Sequence, residues 1–393
     1  MERAVGCPFD PPPQLREWQR DSRVVKVRLW SGTEAWVLLR YADQRDMLSD
    51  PRVSSNASLP GFPHSLPGTK VIKQSGKVVV SLDNPEHDIL RRMLAKDFMI
   101  RRVEERRPRT QQIVDEHIDA MLAGGGPVDL VQALALPVPS LVICDLLGVP
   151  PADQAFFQGK SEIMVSAEAT EAQARGALAD LWAYLGGLAD DKAKAPGDDL
   201  ISRLVARVDA GELSKEDVVT SGVFLLAAGH ETTANMIALG TLALLRHPEQ
   251  LRKVRESDDP ALVANTVEEL LRYLHTPHSG RTRIALEDLE IGGQLIRAGE
   301  GIIAASNIGD RDAEAFPGNP DELDITRQAR HHTAFGFGIH QCLGQPLARM
   351  ELKVVYSTLY RRIPRLRLAV PFEELRFKVD RFVYGIHELP LTW

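Results

Sequence analysis

One apolar run constrains this chain more than any other feature. From Ser214, with Asp217 three residues on as its capping partner, helical spacing continues to about Arg246. A helix of that span is ~48 Å long at ~1.5 Å per residue, enough to cross a whole globular protein. It is apolar nearly all round, as a helix buried at the centre of a core must be. Its most apolar stretch, Val223 to Gly229, stops at His230-Glu231-Thr232-Thr233. That is well short of the ~20 apolar residues a membrane span needs.

The interruption has two readings. Burying a carboxylate without partners is unfavourable, so the first is a local kink, with the Thr232 hydroxyl bonded one turn back to the carbonyl of Ala228 and Glu231 in solvent. The second is a polar notch in a dry wall, where an acid and a hydroxyl relay protons to something bound there. Helical periodicity also covers residues 85–98, 103–123, 138–147, 169–189, 198–208, 260–274 and 345–362. Residues 24–30 and 35–40 flank Ser31-Gly32-Thr33-Glu34 as a hairpin, and further strands are expected between Leu289 and Ile303. The fold class is mainly α with small β-sheets. No internal repeat and no long linker appears, so residues 1–393 are expected to form one domain.

Composition narrows the function. Lys plus Arg number 47 against 54 Asp plus Glu, a net charge of −7, which argues against nucleic acid as a main partner. Three scattered cysteines, Cys7, Cys144 and Cys342, offer neither a disulfide framework nor a zinc site. The first twenty residues mix charge and proline and hold no signal-peptide or anchor pattern, so a cytoplasmic protein without a membrane attachment is expected.

The second informative stretch is Phe335-Gly336-Phe337-Gly338-Ile339-His340-Gln341-Cys342-Leu343-Gly344, followed at once by an amphipathic helix. Glycines let a loop curl and turn its amide N–H groups inward; those donors and the helix dipole favour a thiolate over a thiol. A thiolate at Cys342 is a nucleophile or a metal ligand; an isolated cysteine can equally be a small buried hydrophobe.

The loop resembles the haem-binding signature of the cytochrome P-450 family, FGxGxHxCxG, at every fixed position. Two further signatures of that family occur in the expected order, AGHETT at Ala228 to Thr233 and ExxR at Glu269 to Arg272. The resemblance implies a triangular prism, with one haem b between the long central helix and the helix after the cysteine. It makes Cys342 the axial ligand, pushing electron density toward iron to favour O–O cleavage. It assigns the haem propionates to His87, Arg91, Arg283 and His340, and a buried structural network to Glu269, Arg272 and Arg327. It gives Thr232 a water that delivers protons to bound oxygen, has Glu231 link that water to solvent, and leaves room for dioxygen at Ala228 and Gly229. Leu323 stands where the family often has Phe, and Gly309-Asp310-Arg311-Asp312 where bacterial members often read Ala-Asn-Arg-Asp.

The activity implied is insertion of one atom of dioxygen into an apolar small molecule, such as a polyketide or macrolide. Electrons would come from NAD(P)H through a reductase and a ferredoxin or flavodoxin. Between Arg91 and Arg109, eight basic residues against Asp97, Glu104 and Glu105 give a local +5 that would attract such an acidic carrier. The same resemblance extends to fungal nitric oxide reductases, which take hydride directly from NADH. Those are similar to AGNAT at the central helix, whereas this chain has Glu231 beside Thr232. A non-catalytic haem-based ligand binder is the third reading. Substrate walls are expected at residues 55–82, 156–182, 276–279 and 382–386, with His278 facing a polar substrate group.

Overall fold

The computed structural model describes residues 3, 7–64, 77–165, 170–277, 280–379, 381 and 383–393. The central helix runs over Lys215–Arg246. Its start is set by the expected capping box: Ser214 Oγ accepts the Asp217 N–H at 3.1 Å, and Asp217 Oδ2 accepts the Ser214 N–H at 2.9 Å. Buried residues cover most of its circumference, from Val218 through Leu244. The helix over Gln345–Arg362, called here the cysteine helix, packs on it. Tyr356 fixes the crossing, donating its hydroxyl to the Met236 carbonyl at 2.6 Å.

Residues 260–274 form the helix Pro260–Leu274, and residues 85–98 form Glu86–Ala95 followed by a short 3-10 turn. The helices Ile100–Gly124, Pro137–Leu147, Glu171–Lys194 and Leu200–Asp209 complete the set that periodicity marks. Among the described residues, four longer helices lie outside it, besides the short turns Val131–Ala135 and Ser306–Gly309. In Pro13–Asp21 only Leu15 is buried, and in Pro248–Glu256 only Leu251 and Val254, so neither has an apolar stripe to read. Tyr41–Ser49 is hidden differently, because it buries Asp43 and Gln44. Arg23 holds the Asp43 carboxylate at 2.6 Å, and the Gln44 amide reaches the carbonyls of Leu38 and Ala305. The fourth, Gln154–Val165, falls in a stretch that the sequence assigns only as a pocket wall.

The first hairpin forms as expected, Val24–Arg28 against Glu34–Leu38. It enters a five-stranded sheet when Glu34–Leu38 pairs in parallel with Gly301–Ala304, which pairs antiparallel with Arg281–Ala285. Side chains alternate across a strand, so Arg281 and Arg283 share one face. Among the described residues no helix is long and apolar enough to cross a membrane.

Candidate functional site

The loop from Phe335 to Gly344 is pinned at both ends. The Cys342 N–H donates to the Phe335 carbonyl at 2.8 Å, and the cysteine helix begins three residues later. Gly336 and Gly338 both have φ of 72°, a backbone conformation that a residue with a Cβ adopts only under strain. At Gly338 the constraint is double, since a Cβ there would overlap the carbonyl oxygen of Leu48. Cys342 is solvent-accessible, and Arg91, Arg281 and Arg349 are close enough for their charges to act on its thiol.

The electrostatics of the thiol differ from the sequence expectation. Burial pushes the Cys342 thiol up, and this outweighs the Gly344 N–H and the cations Arg281, Arg91 and Arg349, which pull it down. The loop donors therefore do not by themselves outweigh burial at this thiol.

Basic groups gather beside this sulfur. Arg91 donates to the Gln341 carbonyl at 2.5 Å, and Arg281 to the Ala334 carbonyl at 2.7 Å. Among the described residues, the Arg283 guanidinium donates to the carbonyl of its neighbour Thr282 at 2.8 Å. Burial, helped by the charge of Arg281, pushes the Arg283 guanidinium down to about 10. The His87 and His340 rings lie 4.1 Å apart. His87 is fully buried, and its Nε2 has no hydrogen-bond partner. No described carboxylate lies within ion-pair distance of Arg91, Arg281 or Arg283. The sequence names Arg283 of the strand pair and misses Arg281; the period-two alternation of RTR is the signal that would have found it.

On the central helix, Ala228 is exposed and Thr232 half-buried; Ala227 and Gly229 are half-buried, and His230, Glu231 and Thr233 are buried. Ala228 and Thr232, one turn apart, lie on one accessible stripe of a mostly covered helix. The Thr232 hydroxyl donates to the Ala228 carbonyl at 2.7 Å, the bond of the kink reading. The solvated Glu231 of that reading is corrected: the residue is 7% exposed, its Oε1 has no hydrogen-bond partner among the described residues, and Lys378 Nζ lies 3.9 Å away. Burial pushes the Glu231 carboxyl up while Lys378 and Arg381 pull it back. Gly229 has a packing role as well. A Cβ there would press on Ile143, so its smallness serves helix packing against Pro137–Leu147.

Glu269 and Arg272 form a buried bidentate pair at 2.7 and 2.8 Å, and Arg327 joins at 3.3 Å. Arg272 also donates to the carbonyls of Asp310 and Pro320, both at 2.8 Å. The basic segment is less positive than the count within it suggests. Arg101 and Arg102 pair with Glu105, and Arg107 with Glu104. Asp145 and Asp198, distant in sequence, reach Arg109 and Arg102. Of the expected substrate walls, residues 65–76, 166–169, His278, Ser279 and Phe382 lie outside the described residues.

Comparison with known proteins adds three findings. The family model described as Cytochrome P450 matches residues 189–364. Cytochrome P450 GfsF from Streptomyces halstedii is 50% identical, with 100% of this chain and 95% of that protein covered. A crystal structure of GfsF matches with a TM-score of 0.97 over 100% of this chain and 99% of that one. Mycinamicin VIII C21 methyl hydroxylase from Micromonospora griseorubida is 40% identical, over 98% of each chain. Its crystal structure with mycinamicin VIII bound gives a TM-score of 0.91, over 100% of this chain and 99% of that one.

Proposed function

The chain belongs to the cytochrome P450 family and is a haem-dependent monooxygenase, and from that premise we propose that it binds haem b through Cys342 and oxygenates a medium to large apolar natural product. The observation that carries the cofactor assignment is the gathering of Arg91, Arg281 and Arg283 with the His87–His340 pair in the region of one accessible cysteine, none of the three arginines having a described carboxylate within ion-pair distance. Buried cations need anions, and two propionates supply that charge. His87 Nε2, buried without a partner, is a donor or acceptor in want of one.

When bound, haem supplies the reductive activation of dioxygen, and thiolate ligation favours O–O cleavage. The chain's own residues hold and guide protons. Because the Thr232 hydroxyl hydrogen is committed to the Ala228 carbonyl, the Thr232 oxygen accepts from a water and orients it. Glu231 projects about 100° away around the helix, toward Lys378. Proton transfer from it to Thr232 must therefore pass through water or follow a side-chain rotation.

Dioxygen and an apolar organic molecule are the substrates. The hydroxylase named for mycinamicin VIII, a relative over almost the whole chain, supports a macrolide-like substrate and weighs against nitric oxide reduction as the activity. We assign electron delivery to a ferredoxin or flavodoxin with its NAD(P)H-dependent reductase, and the site of action to the cytoplasm.

The test of the cofactor reading is spectroscopic. Reduced holoprotein with carbon monoxide should show the far-red Soret band of thiolate-ligated haem, and Cys342→His should move it to the shorter-wavelength imidazole position. A wild-type band at the imidazole position in undamaged protein sinks the assignment. The oxygenase reading is tested by substrate-dependent consumption of NADPH and oxygen with ferredoxin, its reductase and a macrolide panel.

A further inference from the structure

A lysine carries a strongly hydrated point charge, and burying it without an anion is unfavourable. Lys378 is nonetheless only 6% exposed. It lies near the C-terminus, on a segment where Phe377 bridges Ile386 and Val383 bridges Pro277. Its Nζ donates to Asn235 Oδ1 at 3.1 Å and sits 3.9 Å from Glu231 Oε1. Asn235 is one helical turn beyond Glu231 and donates its amide to the Glu231 carbonyl at 2.9 Å. Gly385 packs so closely that a Cβ there would overlap the Asn235 amide. The terminal segment is thus latched to the middle of the central helix, at the residue after which Thr232 follows.

From this geometry we propose that Lys378 is a positioning residue for Glu231: it holds the carboxylate ionised and turned away from Thr232, and so sets the pH range over which Glu231 can release a proton. The inference rests on the reading of Glu231 as the acid of the relay. The other ionisable groups around the pair are few. Arg381 adds positive charge from the same segment, Asp129 faces Lys378, and His230 precedes Glu231. Burial pushes His230 down to about 4, so it is neutral at physiological pH. Burial also pushes the Lys378 ammonium down and the Glu231 carboxyl up, and the attraction between the two opposes both shifts. Removing the lysine leaves the Arg381 charge and the Asn235 side chain to counter burial, so the carboxyl must rise further. The latch also ties this balance to the turn after Lys378, which the sequence assigns to the substrate wall.

The test follows the Glu231 carboxyl directly in the holoenzyme. Infrared difference spectra against pH identify its protonated C=O band as the one lost in Glu231→Gln. Peroxide release during NADPH-driven turnover with ferredoxin is recorded alongside. In Lys378→Met the midpoint of that band should rise by about one unit or more, since a neighbouring charge within ~4 Å shifts a carboxyl by ~1–3 units. Lys378→Arg should bring it back most of the way. An unchanged midpoint in Lys378→Met, even with a lower melting temperature, overturns the inference and leaves the lysine a mere latch. If the midpoint moves as expected while Glu231→Gln and wild type release peroxide equally at every pH, the pairing stands and the relay reading falls.

Discussion

At the scale of single residues, the site divides into what spacing reveals and what only packing reveals. Cys342, His340, Glu231 and Thr232 are legible because glycines and polar residues interrupt patterns that packing alone would keep apolar. Arg281 is not, since one more arginine in RTRIALED reads as an exposed strand residue until its guanidinium is found half-buried by the cysteine loop. If it neutralises a propionate there, Arg281→Met should release haem to apomyoglobin ~10-fold or more faster, the loss of about one charge-assisted hydrogen bond. A release rate equal to wild type would leave Arg281 a loop clamp only. Thr232→Ala removes the oxygen that orients the water, so product per NADPH should fall several-fold while peroxide rises. Unchanged coupling would show that the hydroxyl only bonds its own helix. Neither substitution should lower the urea midpoint appreciably, because Thr232 and Arg281 are both partly accessible.

At the scale of elements, legibility follows how much of an element's burial is apolar. The central helix, the helix Pro260–Leu274 and the cysteine helix have the expected boundaries because their cores are read directly from periodicity. Tyr41–Ser49 escapes notice because it is anchored through Asp43 and Gln44, contacts to partners far along the chain that no local window contains. Its C-terminal end nevertheless shapes the site. The carbonyl of Leu48 lies where a Cβ on residue 338 would be, and the φ of 72° there is strained for any other residue. Gly338→Ala should therefore displace the cysteine loop from that helix and destabilise the fold by about 1–3 kcal/mol. The same change should lower the fraction of purified protein that carries haem. Gly293 also has a positive φ, 79°, but nothing lies near its Cβ direction. Gly293→Ala is thus the control, with backbone strain alone and haem content unchanged. Equal haem loss in both would refute the role given to the Leu48 contact.

At the scale of the whole molecule, two buried carboxylates on neighbouring elements show how partners decide the outcome. Glu269 is fully enclosed but meets Arg272, Arg327 and the Asp324 N–H, so its charge is matched in place. Removing one partner of such a pair costs about 3–5 kcal/mol, and Glu269→Gln should unfold at markedly lower urea for that reason. Glu351 on the cysteine helix is equally enclosed, yet its Oε2 has no hydrogen-bond partner, and burial pushes its carboxyl up to about 8. Between the ordinary carboxylate range and that value the folded chain keeps a proton that the unfolded chain releases. Stability is therefore greatest below the ordinary range and falls as pH rises through the interval up to about 8. Glu351→Gln keeps the neutral shape and cannot ionise, so its urea midpoint should stay level from pH 5 to pH 8 at fixed haem saturation, where the wild-type midpoint declines by an amount equivalent to several kcal/mol, at roughly 1.4 kcal/mol per pH unit. Parallel declines in the two proteins would mean that the Glu351 carboxyl finds a partner or water that these contacts do not provide.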